Sequence, residues 1–259
     1  MWDRIKEKRE EYIMKTGIQV SSLKPLLTGA AGVDAVFEKI AMMGVTTVQH
    51  QWIDRGVSPE IVAVLTEKWG LRSVSVQDFF TAVREDWGYY TELNRLTGGT
   101  WLCVSRIPAE YRTPEGLERY ALELAEMQEK LEKLGQQLCF HPVRDDIPLV
   151  PGLLERLPWL ELCLDLYHLA RAGEDMGAWL RRYAGRVCMV HFKDSRMTAD
   201  GEQLVPAGQG DIDWTGVVRA CVETQVPYGF VEQERWDRDP YDCLGEALEW
   251  LRGEMEEAI

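Results

Sequence analysis

Two textures alternate along the chain. Short, nearly continuous apolar runs are separated by longer stretches in which apolar residues recur every three or four positions. The short runs are 17–23 (GIQVSSL), 46–50 (TTVQH), 71–76 (LRSVSV), 100–105 (TWLCVS), 137–141 (QLCFH), 160–165 (LELCLD), 187–191 (VCMVH) and 228–232 (YGFVE). Near-continuous hydrophobicity over so few residues fits strands buried on both faces, as a parallel sheet requires. The longer stretches predict helices over 33–43, 59–69, 84–96, 114–134, 174–183, 214–223 and 241–255. In 114–134, Leu117, Tyr120, Leu124, Met127, Leu131 and Leu134 recur at helical spacing. Thr113 is placed to cap that helix, Pro114 suits its first position and Gly135 closes it. The same opening recurs at Ser58-Pro59 and Asp239-Pro240.

Strand followed by helix, eight times over, predicts an α/β fold, a (β/α)8 TIM barrel. The expectation is a single domain over 1–259, with an extra amphipathic helix over 1–15 on which Trp2, Ile5, Tyr12 and Ile13 share a face. The length of 259 residues agrees with the roughly 250 such a barrel takes. A doubly wound open sheet is the main rival. It would show a glycine-rich first turn, where this chain has Ser21-Ser22-Leu23-Lys24-Pro25.

In a barrel all strand C-termini open onto one mouth, where chemistry is done. Of the four histidines, His50, His141 and His191 end predicted strands, and His168 lies just past another. Period-two alternation puts Cys139 below His141, Cys163 below Asp165, Met189 below His191 and Phe230 below Glu232. Asp165 and Glu232 each close an apolar run, and a carboxylate there is costly unless paired or bound to a metal. Two carboxylates and a neutral imidazole form a mixed oxygen and nitrogen set. It suits one divalent ion such as Mn, Zn, Co or Fe better than Ca. A metal-free network with Lys193 or Arg235 is the alternative. Gln19, Trp52, Gln77 and Trp236 fall at or just beyond strand ends, where they would line a pocket.

Charge and cysteine usage narrow the partners. A net charge of −14 repels phosphate backbones and anionic lipid, so neither nucleic acid nor a membrane is expected. No long uncharged apolar run is present to span a bilayer. Four of the six cysteines, Cys103, Cys139, Cys163 and Cys188, sit inside apolar runs, as buried reduced thiols do. The charged N-terminus lacks the apolar core of a signal peptide. A cytoplasmic protein is the expectation, with oligomeric state, a homo-oligomer included, left open.

The stretches LDLYHLARAGED (164–175), VCMVHFKD (187–194), PAGQGDIDW (206–214) and YGFVEQE (228–234) occur in an order and spacing that resembles the sugar phosphate isomerase/epimerase family, the xylose-isomerase-like barrels. The resemblance implies a metal held by Glu, Asp, His and Glu, of which Asp165, His191 and Glu232 match three. The fifth-strand glutamate is absent from QLCFHPVRDD. His141 stands nearest as fourth ligand, with Asp146 or Cys139 as substitutes under a shifted register. The resemblance further implies a metal-dependent isomerase or epimerase acting on a small sugar, keto-sugar or polyol through an enediolate. Glu232, His168 and Lys193 are then the catalytic candidates, and His50, Gln77, Trp236 and Asp194 the substrate-binding ones. The missing glutamate keeps two alternatives in view: a metal-dependent dehydratase on a keto-polyol, and a barrel that has lost its chemistry and serves as a binding subunit. The related endonuclease IV barrels need many more histidines than four.

Overall fold

The computed structural model describes residues 14–258. The expected N-terminal helix therefore falls almost wholly outside the described residues, and Lys15, its last position, already belongs to a strand.

Eight parallel strands close into a barrel. They are β1 (Lys15–Gln19), β2 (Thr47–Gln51), β3 (Arg72–Phe79), β4 (Trp101–Ser105), β5 (Gln137–His141), β6 (Glu161–Asp165), β7 (Val187–Phe192) and β10 (Tyr228–Val231). Each pairs with its sequence neighbour in the barrel, and β10 closes onto β1. β8 (Asp194–Thr198) and β9 (Gly201–Val205) form an antiparallel hairpin between β7 and β10. This is the (β/α)8 architecture that the alternation predicts.

The helices are α1 (Gly29–Met42), α2 (Pro59–Lys68), α3 (Phe80–Glu85), α4 (Trp87–Leu96), α5 (Pro114–Glu132), α6 (Val150–Arg156), α7 (Leu166–Arg171), α8 (Met176–Arg182), α9 (Val217–Glu223) and α10 (Pro240–Ala258). None is long and apolar enough to cross a membrane. The start signals act as their chemistry requires. Thr113 Oγ1 accepts from Gly116 N at 3.0 Å, and Ser58 Oγ from Ile61 N at 3.5 Å, each meeting an amide the helix itself leaves unpaired.

The structure departs from the sequence reading in several places, and Val150–Arg156 and Leu166–Arg171 are helices where none is expected. The predicted first strand, 17–23, stops at Gln19, and Val20–Leu26 winds into a 3-10 turn. The predicted helix over 84–96 is two helices, α3 and α4, broken at Asp86, whose φ of −128° is not helical. The hairpin β8–β9 occupies a stretch for which no strand was predicted.

The apolar core has two parts. The larger lies between strands and helices, where Phe37, Phe80, Tyr120 and Leu251 are wholly buried. The smaller fills the barrel interior with Val74, Cys103, Cys139, Cys163, Cys188, Met189 and Phe230. All six cysteines are free and buried. Sulfur-bearing side chains pack a narrow interior without asking for hydrogen bonds, so they floor the polar layer above.

Candidate metal centre

β6, β7 and β10 deliver the three residues at the centre of the mouth. Asp165 is in register with His191, and His191 with Phe230. Glu232 follows one residue past the end of β10, where its N–H still donates to Phe192 O at 3.1 Å. Ligand atoms of Asp165, His191 and Glu232 all lie within 4.8 Å of one another. All three side chains are buried. His191 Nδ1 stands 2.9 Å from Glu232 Oε2. The two are not aligned as donor and acceptor, and neither has a hydrogen-bond partner among the described residues. Against burial, Cys163 and Glu232 raise the His191 pKa, so without an ion the pair sits as imidazolium and carboxylate, and a divalent cation can take that proton's place.

The surroundings fix the orientation of these groups. Gln49 Oε1 lies 2.6 Å from His191 Nε2. An amide oxygen only accepts, so Nε2 carries a proton, and in the neutral ring Nδ1 is the nitrogen that keeps a lone pair. The same oxygen accepts from Gln19 Nε2 at 2.9 Å, and Gln19 Nε2 also reaches Gln77 Oε1 at 3.4 Å. Ser21 Oγ donates to Glu232 Oε1 at 3.2 Å. Asp165 Oδ1 accepts from His168 N at 3.3 Å. Its Oδ2 lies 3.6 Å from His168 Nε2 and 3.9 Å from His141 Nε2. Lys193 donates to Glu234 Oε1 at 2.6 Å and lies 5.1 Å over the Tyr167 ring. Burial works against the Glu232 carboxylate, but Lys193 and His191 outweigh it and hold its pKa below the ordinary range. Burial likewise opposes the Lys193 charge, and Glu232, Glu234 and Asp165 more than restore it. Burial lowers the pKa of both His141 and His168.

The fourth position is less regular. The His141 and His191 ring centroids are 4.9 Å apart. His141 belongs to a second triplet, with Cys163 and His191, rather than to the Asp165 group. Cys163 Sγ is 3.3 Å from His191 Nε2. The substitutes for His141 are engaged elsewhere. Asp146 pairs with Arg112 at 2.8 Å and accepts from Val143 N and Ile107 N. Cys139 lies in the sulfur floor, in register with Cys103.

Two expected substrate contacts are corrected by the structure. β2 runs to Gln51, one residue past the predicted end. Alternation then sends Gln49 into the barrel and His50 out to the helix layer. There the His50 ring stacks on Phe37, with centroids 5.4 Å apart and planes 9° apart. Neither ring nitrogen has a partner among the described residues, and burial pushes the pKa down to about 3. Asp194 is the second correction. Its fully buried carboxylate accepts from Ser195 N, Gly208 N, Gly210 N, Ile212 N and Trp214 Nε1. A Cβ at Gly210 would stand 2.0 Å from Asp194 Oδ1. The glycine-containing turn therefore wraps this carboxylate and leaves none of it for a substrate.

Gln77 is buried in the amide chain with Gln19, level with Cys103 and below the rim. Trp236 donates to Ser22 O at 2.9 Å and lines a cleft with Arg235, Gln203 and Leu204. The sequence reading missed Gln49, Ser21 and Glu234 as members of the site. Only for Gln49 was there a signal, the period-two parity of β2, and reading it needed the strand end correct to one residue.

A closed parallel barrel with a buried carboxylate–imidazole cluster at its mouth defines the class of protein. A family model for xylose isomerase-like TIM barrels matches residues 93–254, well over half of the chain, and the chain belongs to that family. No curated protein matches it significantly in sequence. Among solved structures, an L-ribulose 3-epimerase superposes with a TM-score of 0.76 at 15% identity, covering 95% of this chain and 96% of that one. The probable 3-DHS dehydratase AsbF of Bacillus anthracis gives 0.74 at 13%, over 92% and 99%. The IolI protein with a bound zinc atom gives 0.71 at 14%, over 95% and 98%. At such identities the likeness is one of fold.

Proposed function

We propose that this chain is a metal-dependent isomerase or epimerase of a small sugar, keto-sugar or polyol derivative, working through an enediolate. The observation that carries the reading is the convergence of Asp165, His191 and Glu232, all buried, with ligand atoms within 4.8 Å of one another at the mouth of the barrel. Asp165, His191 and Glu232 would hold one divalent ion, Mn, Zn, Co or Fe, with His141 as the fourth donor. When bound, such an ion polarises a substrate carbonyl and lowers the cost of the enediolate.

The chain's own groups do the rest. Gln49 keeps the His191 lone pair directed at the cluster. Glu232, with Oε1 steadied by Ser21, is the carboxylate placed to carry a proton between carbons flanking the carbonyl. His168, whose Nδ1 has no partner among the described residues, and the cationic Lys193 are placed to exchange or donate protons to substrate oxygens. Trp236 bounds the mouth beside the hairpin.

One observation favours a dehydratase as a second reading. β5 ends in His141, so the fifth-strand glutamate that would pair with Glu232 in a proton relay between two carbons is absent. Elimination takes a proton from only one carbon.

Metal analysis of the purified protein tests both readings together. It should find about one transition-metal ion per chain, lost in Asp165→Ala. Deuterium entering a candidate ketose from heavy water supports isomerisation, and an unsaturated product supports elimination. A metal-free protein whose Asp165→Ala variant is equally stable would leave a non-catalytic binding barrel.

A further inference from the structure

Three non-glycine residues among those described adopt a left-handed backbone: Trp52 (φ 56°), Arg106 (φ 64°) and Gln225 (φ 58°). This conformation is unfavourable for bulky side chains and persists where the direction it gives the chain is needed. Two of the three lie at the barrel mouth. Trp52 directly follows the last residue of β2, and Arg106 directly follows the last residue of β4. The strand between them, β3, ends in Phe79.

The two turns build a row. The Trp52 and Phe79 ring centroids are 5.9 Å apart, with planes at 57°. The Arg106 guanidinium carbon lies 5.2 Å over Phe79, and Lys24 Nζ lies 4.4 Å over Trp52. The order is cation, ring, ring, cation, along the rim of the first four strands. Both rings are partly exposed, and both cations are exposed. The row abuts the metal cluster: Phe79 is in register with Ser105, Ser105 with His141, and Arg106 N donates to His141 O at 3.4 Å.

Neither cation is committed. Among the described residues, the side chains of Lys24 and Arg106 make no ion pair and no hydrogen bond, whereas Arg55, Arg84, Arg112, Arg171 and Arg238 all pair with carboxylates. Acidic residues outnumber basic ones 43 to 29 in this chain, so free cations on both ends of an aromatic platform stand against the general charge. A guanidinium offers a fork for two oxygens, an ammonium a point charge, and the rings an apolar floor.

We propose that the mouth takes a substrate bearing an anionic group, a carboxylate or a phosphate, which Arg106 and Lys24 receive while its carbon skeleton rests on Trp52 and Phe79. This rests on the metal-dependent reading above and narrows its substrate to an acidic sugar or polyol derivative. The negative body of the protein disfavours anions elsewhere, so the row also selects where such a molecule lands.

Calorimetric titration of the metal-loaded protein with D-fructose, D-fructose 6-phosphate and 2-keto-D-gluconate tests the proposal. At least one acidic probe should bind on the order of tenfold or more tightly than the neutral sugar, with an advantage that shrinks as salt is added. Which acidic probe is preferred tells carboxylate from phosphate. In the Lys24→Gln/Arg106→Gln double variant the advantage should vanish, while metal content and neutral-sugar affinity stay as they were. The last two readouts separate loss of the row from direct anion ligation of the metal and from misfolding. Equal affinity for acidic and neutral probes, no binding of either acidic probe, or an advantage that survives in the double variant overturns the proposal. Turnover of a neutral ketose without acid preference sinks this inference and leaves the metal-dependent reading standing. Acid preference in a metal-free protein does the reverse.

Discussion

Gln49 Oε1 lies 2.6 Å from His191 Nε2, and this contact decides which nitrogen of the imidazole is free. The amide is itself held by Gln19, its register partner on the neighbouring strand β1. Replacing Gln49 with Leu releases the tautomer and leaves Gln19 with only its longer contact to Gln77. Metal affinity should fall by about 10–100-fold, as for other partners that orient ligating histidines. Competition with a chromogenic chelator measures it, and unchanged affinity would mean that Gln49 merely fills space.

Asp194 makes the opposite kind of prediction. Its carboxylate gathers four backbone amides and the Trp214 indole, none of them in the candidate metal cluster. Asp194→Ala strands those donors in a buried loop. Stability should drop by about 3 kcal/mol, and Tm by roughly 6–12 °C. Metal content of the folded fraction should not change. A variant with full stability and a lost metal would return Asp194 to the site.

His50 gives the chain an acid sensitivity. Its folded pKa is about 3 against an ordinary value of 6.5, because the ring is buried without a partner. Below pH 6.5 the unfolded chain takes up a proton that the folded one refuses. Stability is therefore fully present above pH 6.5 and declines as pH falls toward 3. Between pH 7 and pH 5 the loss from this group is about 2 kcal/mol. His50→Leu should remove that share of the pH dependence. At pH 7 it should gain about 1 kcal/mol by deleting two unpaired buried nitrogens. Urea unfolding at the two pH values reads both effects, and parallel losses in variant and parent would refute the assignment.

His50 also shows how far the sequence could be read. β5 has the predicted bounds, and the eight barrel strands were all visible as apolar runs, because burial on both faces leaves a strong signal. Asp165, His191 and Glu232 stood out because a charged or ionisable residue ending such a run needs a partner. β2 was misplaced by one residue, which is harmless for the fold but exchanges inside for outside. His50 was thus expected at the mouth and Gln49 was overlooked. The hairpin β8–β9 was hidden because its strands are half exposed, with neither the density of a buried strand nor a clean alternation. Asp194 looked like a site residue because a buried carboxylate at a strand end serves a loop and a ligand equally well. Only the positions of Gly208, Gly210 and Trp214 tell them apart.

The sulfur floor carries a last consequence. Cys103, Cys139, Cys163 and Met189 fill the interior beneath the cluster, and they meet the residues above only through the contacts of Cys163 and Met189 with His191 and Gln49. A layer of that kind separates inheritance of the scaffold from inheritance of the chemistry. Substitutions at His141 or Asp165 can accumulate over it without unravelling the strands, so a lineage built this way is free to exchange one reaction for another while its barrel stays the same.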